Sequence, residues 1–164
     1  MATQLTAGDA QQSLTAHVEA KGIEVLLKYG PQIGWSELQQ LLDDRSCVRY
    51  ACEIVFDATH LLPGEFAYPM PRGSAPEDGF TMFVHPVFML ERASVPALVL
   101  YQIVAVNYGS FASSDDAETF GAAALGLTRD EYYALLCKRT DQLAAQDGGT
   151  GGVTGCGGGC RCGG

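Results

Sequence analysis

Hydrophobic residues in the first third of the chain recur at close to the period of an α-helix. The pattern runs from Ser13 to about Tyr29. Gly30 and Pro31 follow directly, and this pair ends a helix. Residues 1–12 lie before the pattern and are predicted to be a flexible N-terminus. The first element is therefore predicted to be an amphipathic helix that ends at the glycine.

The middle of the chain changes to the alternating pattern of β-strands. Apolar side chains occupy every second position across residues 48–58, with Cys52 on the apolar side. Residues 80–89 form a second, almost wholly apolar run, which predicts a strand buried on both faces. The intervening residues 69–79 are rich in proline and glycine and are predicted to form a loop.

Helix-capping residues mark the remaining helices. Ser36 and Gln39 have capping-box spacing, so a short second helix is predicted to begin there. Thr128 and Glu131 have the same spacing and predict a last helix that runs to about Gln146.

Between these two pairs, Ser94 is placed to cap a helix that begins near Val95 and Pro96. This helix runs to about Tyr108, is apolar all round and is predicted to be the central buried one. A further helix is predicted to begin at Ser113 or Ser114, with acidic residues in its first turn. Together the patterns predict one helix-rich α+β domain over residues 13–147 with a small sheet, followed by a disordered tail over residues 148–164.

Charge and composition exclude several classes of partner. The formal net charge is −9, and the one basic residue after Asp147 is Arg161. An acidic domain without clustered lysine and arginine is not expected to bind nucleic acid or an anionic membrane. The most apolar run, residues 95–106, is too short to span a bilayer, and the N-terminus lacks the features of a signal peptide. The chain is therefore predicted to be cytoplasmic, where cysteines stay reduced.

Residues 80–136 resemble the core of a minimal zinc metallopeptidase, a zincin. The similar features are the strand FTMFVHPVFML, the apolar helix PALVLYQIVAVNYG and the downstream segment SSDDAETFGAAALG. The resemblance implies a zincin-like fold, in which the helix carries HExxH for zinc and the downstream segment an acidic ligand. Here YQIVA, with Tyr101, Gln102 and Ala105, stands in place of HExxH, and Glu118 is the remaining acidic candidate. Peptidase activity is therefore not expected.

Three further residues form a possible secondary cluster for a metal or for acid–base chemistry. His60 follows the first predicted strand, His85 lies within the second, and Glu53 lies on the first. If the two strands pair, these side chains approach one another. The alternative is that both histidines have ordinary structural roles.

The tail carries the most specific chemistry in the sequence. Residues 148–164 hold ten of the twenty glycines and three of the six cysteines, Cys156, Cys160 and Cys162. A segment with so little apolar surface cannot bury a core. Three thiolates in the pattern C-x₃-C-x-C suit a soft metal such as copper or zinc, or part of an iron–sulfur cluster. The first hypothesis is thus a non-catalytic metal-binding protein that meets a metal-delivery partner.

A second hypothesis stays open for the same segment. Cysteines set in polyglycine at the C-terminus resemble the cores of ribosomally made, post-translationally modified peptides. The resemblance implies a folded leader over residues 1–149, a core over residues 150–164 and a modifying enzyme as the protein partner. A third interpretation is a weakly constrained extension whose thiols have no function.

Overall fold

The structure, a computed structural model, describes residues 6–147. Helices dominate this part of the chain, at Ala7–Tyr29 (α1), Trp35–Asp43 (α2), Val95–Tyr108 (α3), Ser114–Leu125 (α4) and Arg129–Asp147 (α5). The strands are Cys52–Phe56 (β1), Ala67–Pro71 (β2) and Phe80–Val84 (β3). The prediction of a single helix-rich α+β domain with a small sheet is therefore confirmed.

Helix α3 is the core of the domain, as its uniformly apolar sequence predicts. Almost all of its residues are buried, and the glycine that ends it, Gly109, has a φ of +61°. The segment Arg92–Phe111 is long and apolar enough to cross a membrane, but 72% of its most apolar window is buried inside the domain. Ser94 is the N-cap residue of α3, as predicted, but its side chain makes no capping hydrogen bond.

The three strands form one mixed sheet in the order β1-β3-β2. Strand β1 runs parallel to β3, with Cys52 opposite Phe80, and β2 runs antiparallel to β3. Both predicted strands are shorter in the structure than the sequence pattern suggests. Strand β3 ends at Val84 because Pro86 begins a short 3₁₀ helix. Strand β2 lies where the sequence predicted a loop.

Two helix starts also differ from the prediction. Helix α1 already includes residues 7–12, because Thr6 and Asp9 form a capping box at its start. Helix α2 begins one residue before Ser36, and its N-cap is Gly34, whose N–H donates to the Glu37 carboxylate at 3.0 Å. The capping box predicted for Ser36 and Gln39 is therefore wrong.

Helices α1 and α4 pack closely along a shared interface. Gly22 of α1 allows this approach, since a Cβ atom there would lie 2.7 Å from the Phe120 carbonyl oxygen of α4. The fully buried Asp116 carboxylate accepts hydrogen bonds from Gln11 at 3.0 Å and Thr15 at 2.8 Å on α1. The same carboxylate caps α4, because it also accepts the Ser113 N–H at 2.9 Å. Asp116 thus joins the start of α4 to α1.

Helix α5 packs on α4 and reaches α3. Its capping box is the predicted one, with the Thr128 N–H donating to the Glu131 carboxylate at 2.8 Å. The ring of Tyr132 lies against Gly121, where any Cβ atom would clash with it. The Tyr132 hydroxyl donates to the Ala97 carbonyl oxygen of α3 at 2.6 Å. Tyr132 therefore connects α5 to both α4 and α3.

Candidate functional site

The thiols of the folded domain belong to its interior. Cys47 and Cys52 are buried and Cys137 is half-buried. Burial raises the pKa of Cys52 to about 11 and also raises that of Cys47. Both buried side chains are therefore protonated at neutral pH and behave as small apolar groups. Cys156, Cys160 and Cys162, the predicted metal ligands, lie outside the described residues.

The three residues of the predicted secondary cluster each have a separate local partner. The His60 ring lies 4.5 Å from that of Phe83, centroid to centroid. His85 accepts the Val87 N–H on its own Nδ1 at 3.2 Å, and Glu53 accepts from Arg72 at 3.1 Å. Within residues 6–147, no group of three or more histidine, cysteine, aspartate or glutamate side chains is placed to hold a metal ion. The structure therefore does not bring Glu53, His60 and His85 together as a metal-binding group.

The positions that the zincin resemblance singles out are either buried in the core or take part in an ion pair. Tyr101 and Gln102 are buried on α3, the helix that would carry HExxH. The Glu118 carboxylate on α4 accepts from the Arg129 guanidinium at 2.7 Å. Glu118 thus takes part in an ion pair between α4 and the start of α5.

The described residues also form a groove that the sequence did not predict. We call it the aromatic groove; its volume is about 960 Å³. It lies between the C-terminal end of α3, strand β2 and the start of α1. Its walls are mainly apolar and aromatic, with Leu14, Tyr50, Tyr68, Tyr108 and Phe111 among the lining residues. Tyr68 and Phe111 are exposed, the latter to 83%.

A smaller cavity adjoins the aromatic groove and has the opposite chemical character. This cationic pocket, of about 290 Å³, is lined in part by His17, Lys21, Arg45 and Arg49. Arg49, Asn107 and Tyr108 line both cavities. The two cavities therefore form one surface with an apolar part and a positively charged end.

Asn107, at the end of α3, fixes the backbone at the junction of the two cavities. Its side-chain amide donates to the Cys47 carbonyl oxygen at 2.8 Å and accepts the Arg49 N–H at 2.8 Å. The Arg49 guanidinium in turn donates to the Asn107 carbonyl oxygen at 3.2 Å. Sequence reasoning missed Asn107, although an asparagine in an otherwise apolar helix is the kind of residue that makes such buried hydrogen bonds.

No protein-family model, curated protein or solved structure matches the chain.

Proposed function

We propose that this is a non-catalytic protein that binds a soft metal or an iron–sulfur cluster through Cys156, Cys160 and Cys162. In this proposal the acidic domain of residues 6–147 is the scaffold, and it docks the protein partner that delivers or receives the metal. Three thiolates suit Cu(I) without a further ligand, whereas Zn²⁺ or a cluster needs a fourth ligand from elsewhere. A thiolate site of this kind also fits a location in the reducing cytoplasm.

The observation that carries the proposal is the different chemistry of the two sets of cysteines. Thiolates bind soft metals, and thiols do not. Burial keeps Cys47 and Cys52 in the thiol form at neutral pH. In the tail, by contrast, Arg161 lies between Cys160 and Cys162 in sequence, and a neighbouring positive charge favours the thiolate. The thiolate chemistry of the chain is therefore proposed to lie in residues 156–162.

The test is the metal content of the full-length chain and of a variant with Cys156, Cys160 and Cys162 all replaced by serine. Both are titrated with Cu(I) under anaerobic conditions against a competing chelator, and bound copper per chain is measured by mass spectrometry. About one Cu(I) per chain is expected for the original sequence and none for the triple variant. The single variant Cys137→Ser is the matched control and keeps its copper.

The melting temperature completes this test. Because residues 148–164 have almost no apolar side chain to add to a core, the triple variant is expected to melt within about 2 °C of the original chain. Copper retained by the triple variant would overturn the assignment to the tail. A native chain that has lost about 18 Da per tail cysteine, or that has been cleaved after Gly149 or Gly152, would identify a modified-peptide precursor instead.

A further inference from the structure

The aromatic groove and the cationic pocket share three lining residues and so present one continuous surface to a ligand. The aromatic groove offers apolar contact area, including the exposed rings of Tyr68 and Phe111. The cationic pocket adds Arg45 and Arg49, together with Lys21, whose ammonium also pairs with the Glu24 carboxylate at 2.9 Å. In a domain with a large excess of acidic residues, three of its nine basic side chains therefore lie around one small cavity.

We propose that this surface binds an extended peptide segment of a partner protein that carries apolar side chains next to a carboxylate. The apolar side chains lie in the aromatic groove, and the carboxylate lies in the cationic pocket against Arg49. Charge complementarity identifies the partner as acidic at this point, because an arginine guanidinium binds a carboxylate through two parallel hydrogen bonds. The inference does not depend on the tail cysteines.

The walls of the aromatic groove favour a peptide. Tyrosine and phenylalanine are enriched at the surfaces by which proteins bind one another. Phe111, three residues after the end of α3, is 83% exposed, so its ring does not contribute to the core of this domain.

The same peptide is not expected to bind by pairing with the edge of the sheet as an additional strand. Strand β2 lies at one edge of the sheet and contributes Tyr68, Pro69 and Pro71 to the aromatic groove. Proline has no N–H, so this edge lacks two of the donors that an added strand needs. The bound segment is therefore held by its side chains rather than by a ladder of backbone hydrogen bonds.

Asn107 prepares the charged end of the surface before a ligand arrives. Its side chain accepts the Arg49 N–H at 2.8 Å, and its carbonyl oxygen accepts from the Arg49 guanidinium at 3.2 Å. A side chain that is already positioned loses less conformational entropy on binding. Asn107 is thus a positioning residue for Arg49.

The test is a selection of random dodecapeptides displayed on phage against the full-length chain, followed by fluorescence anisotropy with synthetic copies of the enriched peptides. We expect enrichment of one to three apolar residues beside aspartate or glutamate. Phe111→Ser is expected to weaken binding of these peptides at least tenfold. The matched control is Leu90→Ser, because Leu90 is 94% exposed and does not line the aromatic groove.

A double-mutant cycle tests the contact with the carboxylate. Replacing the acidic residue of the peptide by its amide is expected to weaken binding about tenfold to the original chain and hardly at all to Arg49→Gln. Equal binding to Phe111→Ser, no coupling to Arg49, or a selection that enriches basic peptides or none would overturn the proposal. Displacement by a synthetic peptide of residues 148–164 would do so as well, because it would assign the aromatic groove to the chain's own tail.

Discussion

The interface between α1 and α4 and the aromatic groove differ in how their residues are packed. At the α1–α4 interface, Gly22 lets the two helices approach closely, and the buried Asp116 carboxylate has several hydrogen-bond donors. Around the aromatic groove, Phe111 and Arg49 are both exposed residues. The first region stabilises the domain, whereas the second exposes side chains that add little to stability.

The cysteines of the chain also fall into two sets. Cys47 and Cys52, in the folded domain, are buried and protonated. The tail cysteines occur in a sequence that has almost no apolar side chain to pack. The presence of a cysteine therefore does not by itself indicate a metal ligand in this chain, because burial determines whether the thiolate can form.

The largest difference is expected between two phenylalanines. Phe120 on α4 is 1% exposed, and Phe111 beside the aromatic groove is 83% exposed. Phe120→Ala removes a ring from the core and is expected to lower the free energy of unfolding by about 4 kcal/mol. Phe111→Ala is expected to change it by less than about 0.5 kcal/mol. Urea unfolding of both variants measures this, and similar losses would contradict the comparison.

Asp116→Ala is expected to destabilise the domain by about 3 kcal/mol, because it removes the buried carboxylate that completes the capping box of α4 with Ser113 and accepts hydrogen bonds from α1. The neighbouring Asp115 provides the control, since its side chain is 76% exposed and pairs with Arg129 at the surface. Asp115→Ala is expected to cost less than about 0.5 kcal/mol. Chemical denaturation distinguishes the two, and a mild effect at Asp116 would show that its hydrogen bonds contribute little.

Two glycines of α1 are expected to respond in opposite directions to alanine. A Cβ atom at Gly22 would meet the Phe120 carbonyl oxygen and the Ala123 side chain, both at 2.7 Å, so Gly22→Ala is expected to destabilise by about 2 kcal/mol. At the exposed Gly8 the nearest such atom is Thr6 Oγ1 at 3.6 Å. Gly8→Ala is therefore expected to stabilise by about 0.5 kcal/mol. Thermal unfolding of the two variants shows whether Gly22→Ala lowers the melting temperature and Gly8→Ala raises it.

Acid is expected to weaken the α1–α4 interface through Asp116. Burial raises the pKa of this carboxyl, but the hydrogen bonds from Ser113, Thr15 and Gln11 lower it by more, so the net shift is downward from 3.8. The stabilisation is therefore present above the unfolded-state pKa and is lost as the pH falls from about 4 through the lower folded-state pKa. The stability difference between the original chain and Asp116→Asn should shrink between pH 6 and pH 3. A constant difference would exclude this role.

Local sequence signals predicted most of the helical part of this fold. The buried helix α3 follows from its apolar sequence, and the starts of α4 and α5 follow from their capping residues. Strand β2 could not be predicted from its own residues, because Pro69 and Pro71 indicate a loop. These prolines are tolerated since β2 lies at the edge of the sheet.

The candidate sites were harder to predict than the fold. The aromatic groove joins residues as distant in sequence as Leu14, Tyr68 and Phe111, and no local pattern marks them as neighbours. Glu53, His60 and His85 were grouped from their positions on paired strands. Strands β1 and β3 do pair, but Glu53 forms an ion pair with Arg72 and the His60 ring packs against Phe83.

The most direct test of the separation between the two sets of cysteines is differential alkylation of the reduced full-length chain with and without Cu(I). After a short pulse of iodoacetamide at neutral pH, peptide mapping by mass spectrometry gives the labelled fraction of each cysteine. We predict rapid labelling of Cys156, Cys160 and Cys162 that Cu(I) prevents, and no labelling of Cys47 and Cys52 until the domain is unfolded. Labelling of Cys47 or Cys52 at the rate of the tail, or protection of these two by Cu(I) in place of the tail, would contradict the account.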